Sequence, residues 1–263
     1  MNSTRRSFKL RKRLPRRAFL QGAMAMSTAA LAGCDNLSRT EWFPKILDSV
    51  EPLNHGLAQL IGRKSMAQEF AESDRSPTFR SNGSDTADTE QYNAWVASNF
   101  ADYALDVGGL CAAPRKFTLA ELRALPARTQ ITRHDCVEGW SAIGKWKGAR
   151  LSALLDIVKP KAEARYVMFY CADPMSADGT DLYYESIDFD DARHEQTILA
   201  YDLNDAPLPV PNGAPIRLRV ERQLGYKHAK FVTGIQFVAC FADIGAGKGG
   251  YWEDQGYQWY AGI

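Results

Sequence analysis

Residues 131–150 read ITRHDCVEGWSAIGKWKGAR, and this run decides how the chain is read. It holds one cysteine, Cys136, with Arg133, His134 and Asp135 before it and Glu138, Gly139 and Trp140 after it. A structural cysteine behaves as a small buried hydrophobe and usually sits in an apolar run. Cys136 instead sits where Arg133 and His134 would stabilise a thiolate, the form of cysteine that binds a metal. Gly139 permits close backbone approach, and Trp140 offers a rigid wall with one N–H donor. The residues alone leave two accounts open: a metal ligand, or a half-buried thiol at a strand end. No second ligand follows at CxxC or HxxxH spacing, so a metal here takes most of its ligands from outside the protein.

Around this run lies a chain of 263 residues with formal net charge +1 and 45% apolar residues, enough for one sizeable core with a helical preface. The near-zero charge gives no case for nucleic acid as a partner. Five cysteines, Cys34, Cys111, Cys136, Cys171 and Cys240, show no metal-ligand spacing and no dense disulfide framework.

Upstream, residues 1–34 read as a targeting segment. Arg16-Arg17-Ala18-Phe19-Leu20 resembles a twin-arginine export signal, with Pro15 in the place of the usual serine or threonine. Leu31-Ala32-Gly33-Cys34 resembles a bacterial lipobox, which implies lipid attachment at Cys34 and an anchor that does not span the membrane. Residues 35–88 form a preface. Ile46, Leu47, Val50, Leu53, Leu57 and Leu60 recur at helical spacing, and Pro52 predicts a break into two short helices in a pattern running to Glu72. Residues 73–88 read as a loop, and His55 as a surface or helix-end histidine.

Residues 89–263 interleave strands and short helices without a regular βαβ repeat, which predicts an α+β, β-rich domain. Thr118 and Glu121 form a capping box, Gln130 to Asp135 alternate as a strand ending at Cys136, and Leu151 to Val158 form a helix stopped by Pro160. No GxGxxG follows a strand and no GxxxxGK[ST] occurs, so dinucleotide and P-loop readings fail. The glycine-rich run Gly245 to Gly250 reads as a loop.

The run CVEGWSAIGKWKG, followed by LSALLDIV and the ARYVMFYCAD strand, resembles the molybdenum-cofactor domain of the sulfite oxidase family. It is most similar to the bacterial exported branch that includes the periplasmic methionine sulfoxide reductase catalytic subunit. The likeness runs from about Phe79 to Ile263. It implies molybdenum and molybdopterin as cofactors, with Cys136 as the protein ligand of the metal; Glu138, two residues on, is placed to face that metal or to pair with Arg133. Asn82 in FRSNG, Asn212 and Arg217 in NGAPIR, and His228, Ala229 and Lys230 in GYKHAK match the family's pterin-contacting segments. Cys171 falls at another such strand end, where a buried structural thiol is an equal account.

The resemblance implies oxygen-atom transfer to or from a small substrate. Trp140, Tyr251 and Trp252 favour reduction of an S- or N-oxide, whereas sulfite oxidation calls for several arginines, and only Arg133, Arg150 and Arg222 offer themselves. No haem-attachment CxxCH is present, so a separate electron-transfer protein is expected, such as a membrane cytochrome b, with this chain a monomeric, periplasmic, lipid-anchored catalytic subunit. The rivals are sulfite oxidation with a cytochrome acceptor, a non-catalytic binding lipoprotein that keeps the fold, and last a thiol hydrolase using Cys136 and His134.

Overall fold

The computed structural model describes residues 39–62, 65–176 and 178–263. The twin-arginine and lipobox residues, Cys34 included, lie outside them. The described residues divide after Asn54 into two units, and the second, residues 55–263, holds everything that follows except most of the first helix.

That helix, α1 (Trp42–Gly62), carries Pro52 inside it instead of being divided there. Proline removes one backbone donor and crowds the preceding turn; here the loss costs a rung and not the helix. Nor does the helical pattern reach Glu72. Residues 65–71 run extended along the domain, where Glu69 bridges Thr132 and the Phe70 N–H donates to the Ile131 carbonyl at 2.9 Å.

Two sheets build the domain. The first contains β1 (Ala104–Gly109), β2 (Arg115–Thr118), β5 (Tyr166–Pro174), β6 (Leu182–Asp188) and β10 (Val232–Val238), in the order β2-β1-β10-β5-β6. Its β1 and β10 run parallel, with Val107 opposite Ile235; its other pairs are antiparallel. The second is antiparallel: β3 (Ala127–Asp135), β4 (Ser141–Arg150), β7 (Ile198–Leu203) and β8 (Ala206–Pro207) in that order, with β9 (Arg217–Arg219) on β7.

β7 shows why the sheets stack. Successive strand side chains point to opposite faces, and Ile198 to Tyr201 are apolar at every position, as a strand covered on both sides must be. Leu199 and Tyr201 enter the main core with Leu105, Phe169 and Phe237 of the other sheet. Ile198 and Ala200 face the other way, onto Trp146, Leu203 and Leu208, and Phe79 of the preface covers them.

Short helices close the ends. α2 (Glu90–Ala97) starts at Thr89, whose side chain accepts from the Tyr92 N–H. α3 (Leu119–Ala124) has the predicted capping box: Thr118 Oγ1 accepts from the Glu121 N–H at 3.2 Å, and Glu121 Oε2 accepts from the Thr118 N–H at 2.8 Å. α4 (Leu151–Val158) buries Leu151, Leu154, Leu155 and Val158 completely, the i, i+3, i+4, i+7 stripe of a core-facing helix. Each such side chain stabilises the domain by about 1.5–3 kcal/mol. α5 (Phe189–Ala192) and α6 (Tyr251–Asp254) are single turns, and α6 packs against β6.

Candidate active site

β3 and β4 pair in register up to Asp135 and Ser141, so residues 136–140 are a hairpin loop. The Cys136 N–H donates to the Trp140 carbonyl at 2.9 Å, the Gly139 N–H donates to the Cys136 carbonyl at 3.0 Å, and Gly139 takes φ 86°. That conformation is costly for any residue with a Cβ. The loop holds the Cys136 thiol half-buried on the wall of a cavity of about 360 Å³.

The groups that act on this thiol are not the two its sequence neighbours suggested. Arg133 is half exposed and pairs with Asp135, Nε to Oδ1 at 2.9 Å. His134 is fully buried and accepts from Arg219 Nη1 at 3.0 Å through Nδ1. Burial first, and then Arg219 and Arg217, push His134 well below the usual histidine range, so it is neutral and stabilises no anion. It makes no hydrogen bond to Cys136, which leaves the thiol hydrolase without its base. Burial raises the Cys136 thiol. The Glu138 backbone lowers it, the Glu138 charge raises it, and Arg80 and Arg217 lower it. Arg80 lies 5.3 Å from the centre of the Trp140 ring. Glu138 also lines the cavity, but it accepts from Trp140 Nε1 at 3.0 Å and does not pair with Arg133.

The other predicted residues converge from three segments. Arg217, on β9, is fully buried; Nη1 donates to the Asn212 carbonyl at 3.1 Å, and Nη2 to the His228 carbonyl at 3.2 Å and to Asn82 Oδ1 at 3.3 Å. Burial, then repulsion from Arg219, lowers it to about 9. The two arginines flank Trp146, at 5.2 and 4.4 Å from its ring centre, and Arg219 is neutralised by a bidentate pair with Glu221. His228 donates through Nε2 to the Val220 and Gln223 carbonyls, both at 3.0 Å, so Nδ1 is left as an acceptor. Lys230 donates to the Ser84 and Pro211 carbonyls and to Ser81 Oγ. Gly213, at φ 105°, is required here: a Cβ on it would lie 2.9 Å from that of Lys230.

Asn82, His228 and Lys230 line the cavity. Asn212 and Arg217 are buried behind it, and Ala229 is a core residue whose carbonyl accepts from the Leu218 N–H at 2.8 Å. Cys171 is buried on β5 within the main core and is absent from the lining; burial pushes its thiol well up. Two residues on, Asp173 does reach the cavity, its carboxyl raised by burial to about 6. Asp173, Arg80, Tyr183 and Tyr257 are the residues that sequence reading missed. Of these Asp173 had a local signal, as the end of the same ARYVMFYCAD strand, and so did Arg80, which lies in the FRSNG segment beside Asn82.

The polar side of the site is built for a hydrogen-bonding ligand. Asn212 Nδ2, Arg217 Nε and His228 Nδ1 are buried with no partner in the protein, and such atoms cost about 1–3 kcal/mol each unless a ligand satisfies them. Lys230 hydrogen-bonds only to carbonyl and hydroxyl oxygens, and burial, with Arg217 next, drives it down to about 7. A phosphate would reverse that. The opposite wall is aromatic: Trp252 and Tyr257 stack at 5.3 Å, and Tyr226 meets Tyr257 edge-on at 5.2 Å.

The chain is similar to several known proteins. Residues 93–242 match the family described as the oxidoreductase molybdopterin binding domain. The chain is 37% identical over 249 residues to a putative protein-methionine-sulfoxide reductase subunit YedZ1 of Azospira oryzae, covering 94% of this chain and 87% of that one. It is 35% identical over 161 residues to the protein-methionine-sulfoxide reductase catalytic subunit MsrP of Xanthomonas axonopodis pv. citri, covering 58% of this chain and 50% of the relative. The match therefore spans about half the length of the relatives of that name. Among solved structures, the sulfane dehydrogenase SoxCD of Paracoccus pantotrophus aligns with TM-score 0.47 at 22% identity, over 53% of this chain and 39% of its own.

Proposed function

The chain belongs to the oxidoreductase molybdopterin-binding domain family and is an enzyme of the molybdenum cofactor, and from that premise we propose that it reduces sulfoxides, foremost methionine sulfoxide within polypeptides. The observation that carries the reading is the charge on the cavity wall. Among the described lining residues Lys230 is the one cationic side chain of the Lys and Arg type, and it is already hydrogen-bonded, while Glu138 and Asp173 are acidic. A sulfite dianion needs several cations, and Arg133, Arg150 and Arg222 do not line the cavity. A sulfoxide is neutral, and Met175, Trp252 and Tyr257 give it an apolar, polarizable wall.

Cys136 is the metal ligand in this reading, with Arg80 and Arg217 favouring its thiolate. Asn82, Asn212, Arg217, His228 and Lys230 hold the pterin and its phosphate by charge-assisted and fork-like hydrogen bonds, and Ala229 contributes backbone. Cys171 acts from the core, by fixing the strand that carries Asp173. When bound, the molybdenum cofactor supplies the two-electron change that lets an oxygen atom leave the substrate. Glu138, steadied by Trp140, keeps anions out of the mouth.

Residues 89–263 are the cofactor domain in this account, and residues 35–88 are its preface, which lends Asn82, Gly83 and Ser84 to the wall. The protein is exported to the periplasm, lipidated at Cys34 and monomeric, and it draws electrons from a membrane cytochrome b. Among the described residues no helix is long and apolar enough to cross a membrane. Steady-state turnover with a reduced dye donor tests the activity. Reduction of a methionine sulfoxide peptide with no sulfite oxidation is expected; dominant sulfite oxidation contradicts it.

A further inference from the structure

Behind the cavity lies a group of charges that binding of the cofactor does not use. Lys227 Nζ donates to both Glu185 and Glu253, and all three side chains are at most 1% exposed. Two carboxylates around one ammonium leave a net negative charge out of water, an arrangement that costs several kcal/mol unless a proton neutralises it. Glu253 Oε2 has no partner in the protein, so it is free to share that proton. Lys227 cannot be the group that yields. Burial alone would lower it, but the two carboxylates outweigh burial and hold it above its usual value. Burial first, and then Glu253, push Glu185 well above the carboxylate range, with Lys227 opposing.

This group touches the cavity at one point. Tyr183 and Glu185 are two apart on β6 and therefore share a face. Tyr183 lines the cavity, and its hydroxyl sits 3.4 Å from Glu185 Oε2 while donating to the Tyr226 carbonyl. The other titratable or charged groups facing this pair are the Cys171 thiol, Asp173, Arg217 from β9, and Tyr251, whose ring centre lies 6.1 Å from that of Tyr183. We propose that Glu185, sharing a proton with Glu253 across Lys227, is a one-proton store behind the cavity wall, and that Tyr183 passes this proton to the reacting oxygen.

The proposal rests on the sulfoxide-reduction reading, whose stoichiometry requires protons. The S=O bond breaks, two electrons arrive from the redox partner, and two protons turn the departing oxygen into water. One proton leaves the Tyr183 hydroxyl as the Glu185 carboxyl replaces it, which leaves Glu185 and Glu253 ionised around Lys227. The second comes from solvent at the mouth. When the product has left, water entering the cavity recharges the store through Tyr183.

Infrared spectroscopy of the holoenzyme without substrate tests the store, and kinetics tests the transfer. The wild type at neutral pH is expected to show a protonated-carboxyl C=O band that shifts in deuterium oxide, with Glu185→Gln abolishing it and Tyr183→Phe keeping it. Both variants should retain molybdenum and KM, lose roughly 10²-fold in kcat, and lose the solvent isotope effect on kcat. Absence of the band from the wild type, or a Tyr183→Phe enzyme with normal kcat and isotope effect, overturns the proposal. The band together with no sulfoxide turnover would instead overturn the functional reading and the transfer step, leaving only the stored proton.

Discussion

The guanidinium of Arg217 donates to the side-chain oxygen of Asn82 at 3.3 Å, across 135 residues of chain. This bond ties the loop after Phe79 to β9, and both ends of it lie beside the cavity that holds Cys136. Arg217 is thus the hub of the polar side of the cavity wall.

Arg217→Met should therefore cost both stability and cofactor. It leaves the Asn212 and His228 carbonyls without their buried donor, a loss of roughly 2–4 kcal/mol. Urea unfolding would measure it, and pterin content should fall in parallel. Arg217→Lys keeps the charge but not the fork, so it should recover part of the stability and little of the cofactor.

The cofactor-free protein should become more stable as pH rises above neutrality. Folding lowers Lys230 from 10.5 to about 7, so between those values the unfolded chain binds the extra proton and stability grows with pH. Phosphate binding restores the ammonium and should flatten the dependence. Denaturation midpoints from pH 7 to 10, with and without cofactor, check the sign.

Trp252→Ala and Tyr257→Ala should each raise the KM for a methionine sulfoxide peptide by about 3- to 10-fold, the worth of one aromatic contact. Molybdenum content should not change, because neither ring is among the groups proposed to hold the pterin.

Gly225→Ala should lower the melting temperature by roughly 3–10 °C. A Cβ at this position would lie 2.4 Å from His134 Nε2, and the Arg219 bond and full burial keep that ring from moving aside.

Short-range pattern made much of this legible from the residues alone. The α4 stripe, the Thr118 cap and the strand leading into Cys136 each follow from spacing within a dozen residues, and the NGAPIR and GYKHAK segments could be recognised intact. What could not be read was set by chain crossings. Arg80 reaches Trp140 from the loop where the partly buried Phe79 packs edge-on against Trp146. Arg133 is the cation beside Cys136 in sequence, yet it is exposed and paired with Asp135, while the fully buried Arg217 acts from 81 residues further on. Pro52 misled for a different reason: a proline taxes a helix, and neighbouring turns can absorb the tax.

Molybdenum analysis of the wild type and Cys136→Ser, with Mo(V) paramagnetic resonance on both, tests the central claim most directly. The half-buried thiol should tolerate serine without loss of fold. One molybdenum per chain in the wild type, with a changed Mo(V) signal in the variant, is the predicted result. The same signal from both proteins, or no molybdenum in protein made by a host that synthesises the cofactor, would contradict it.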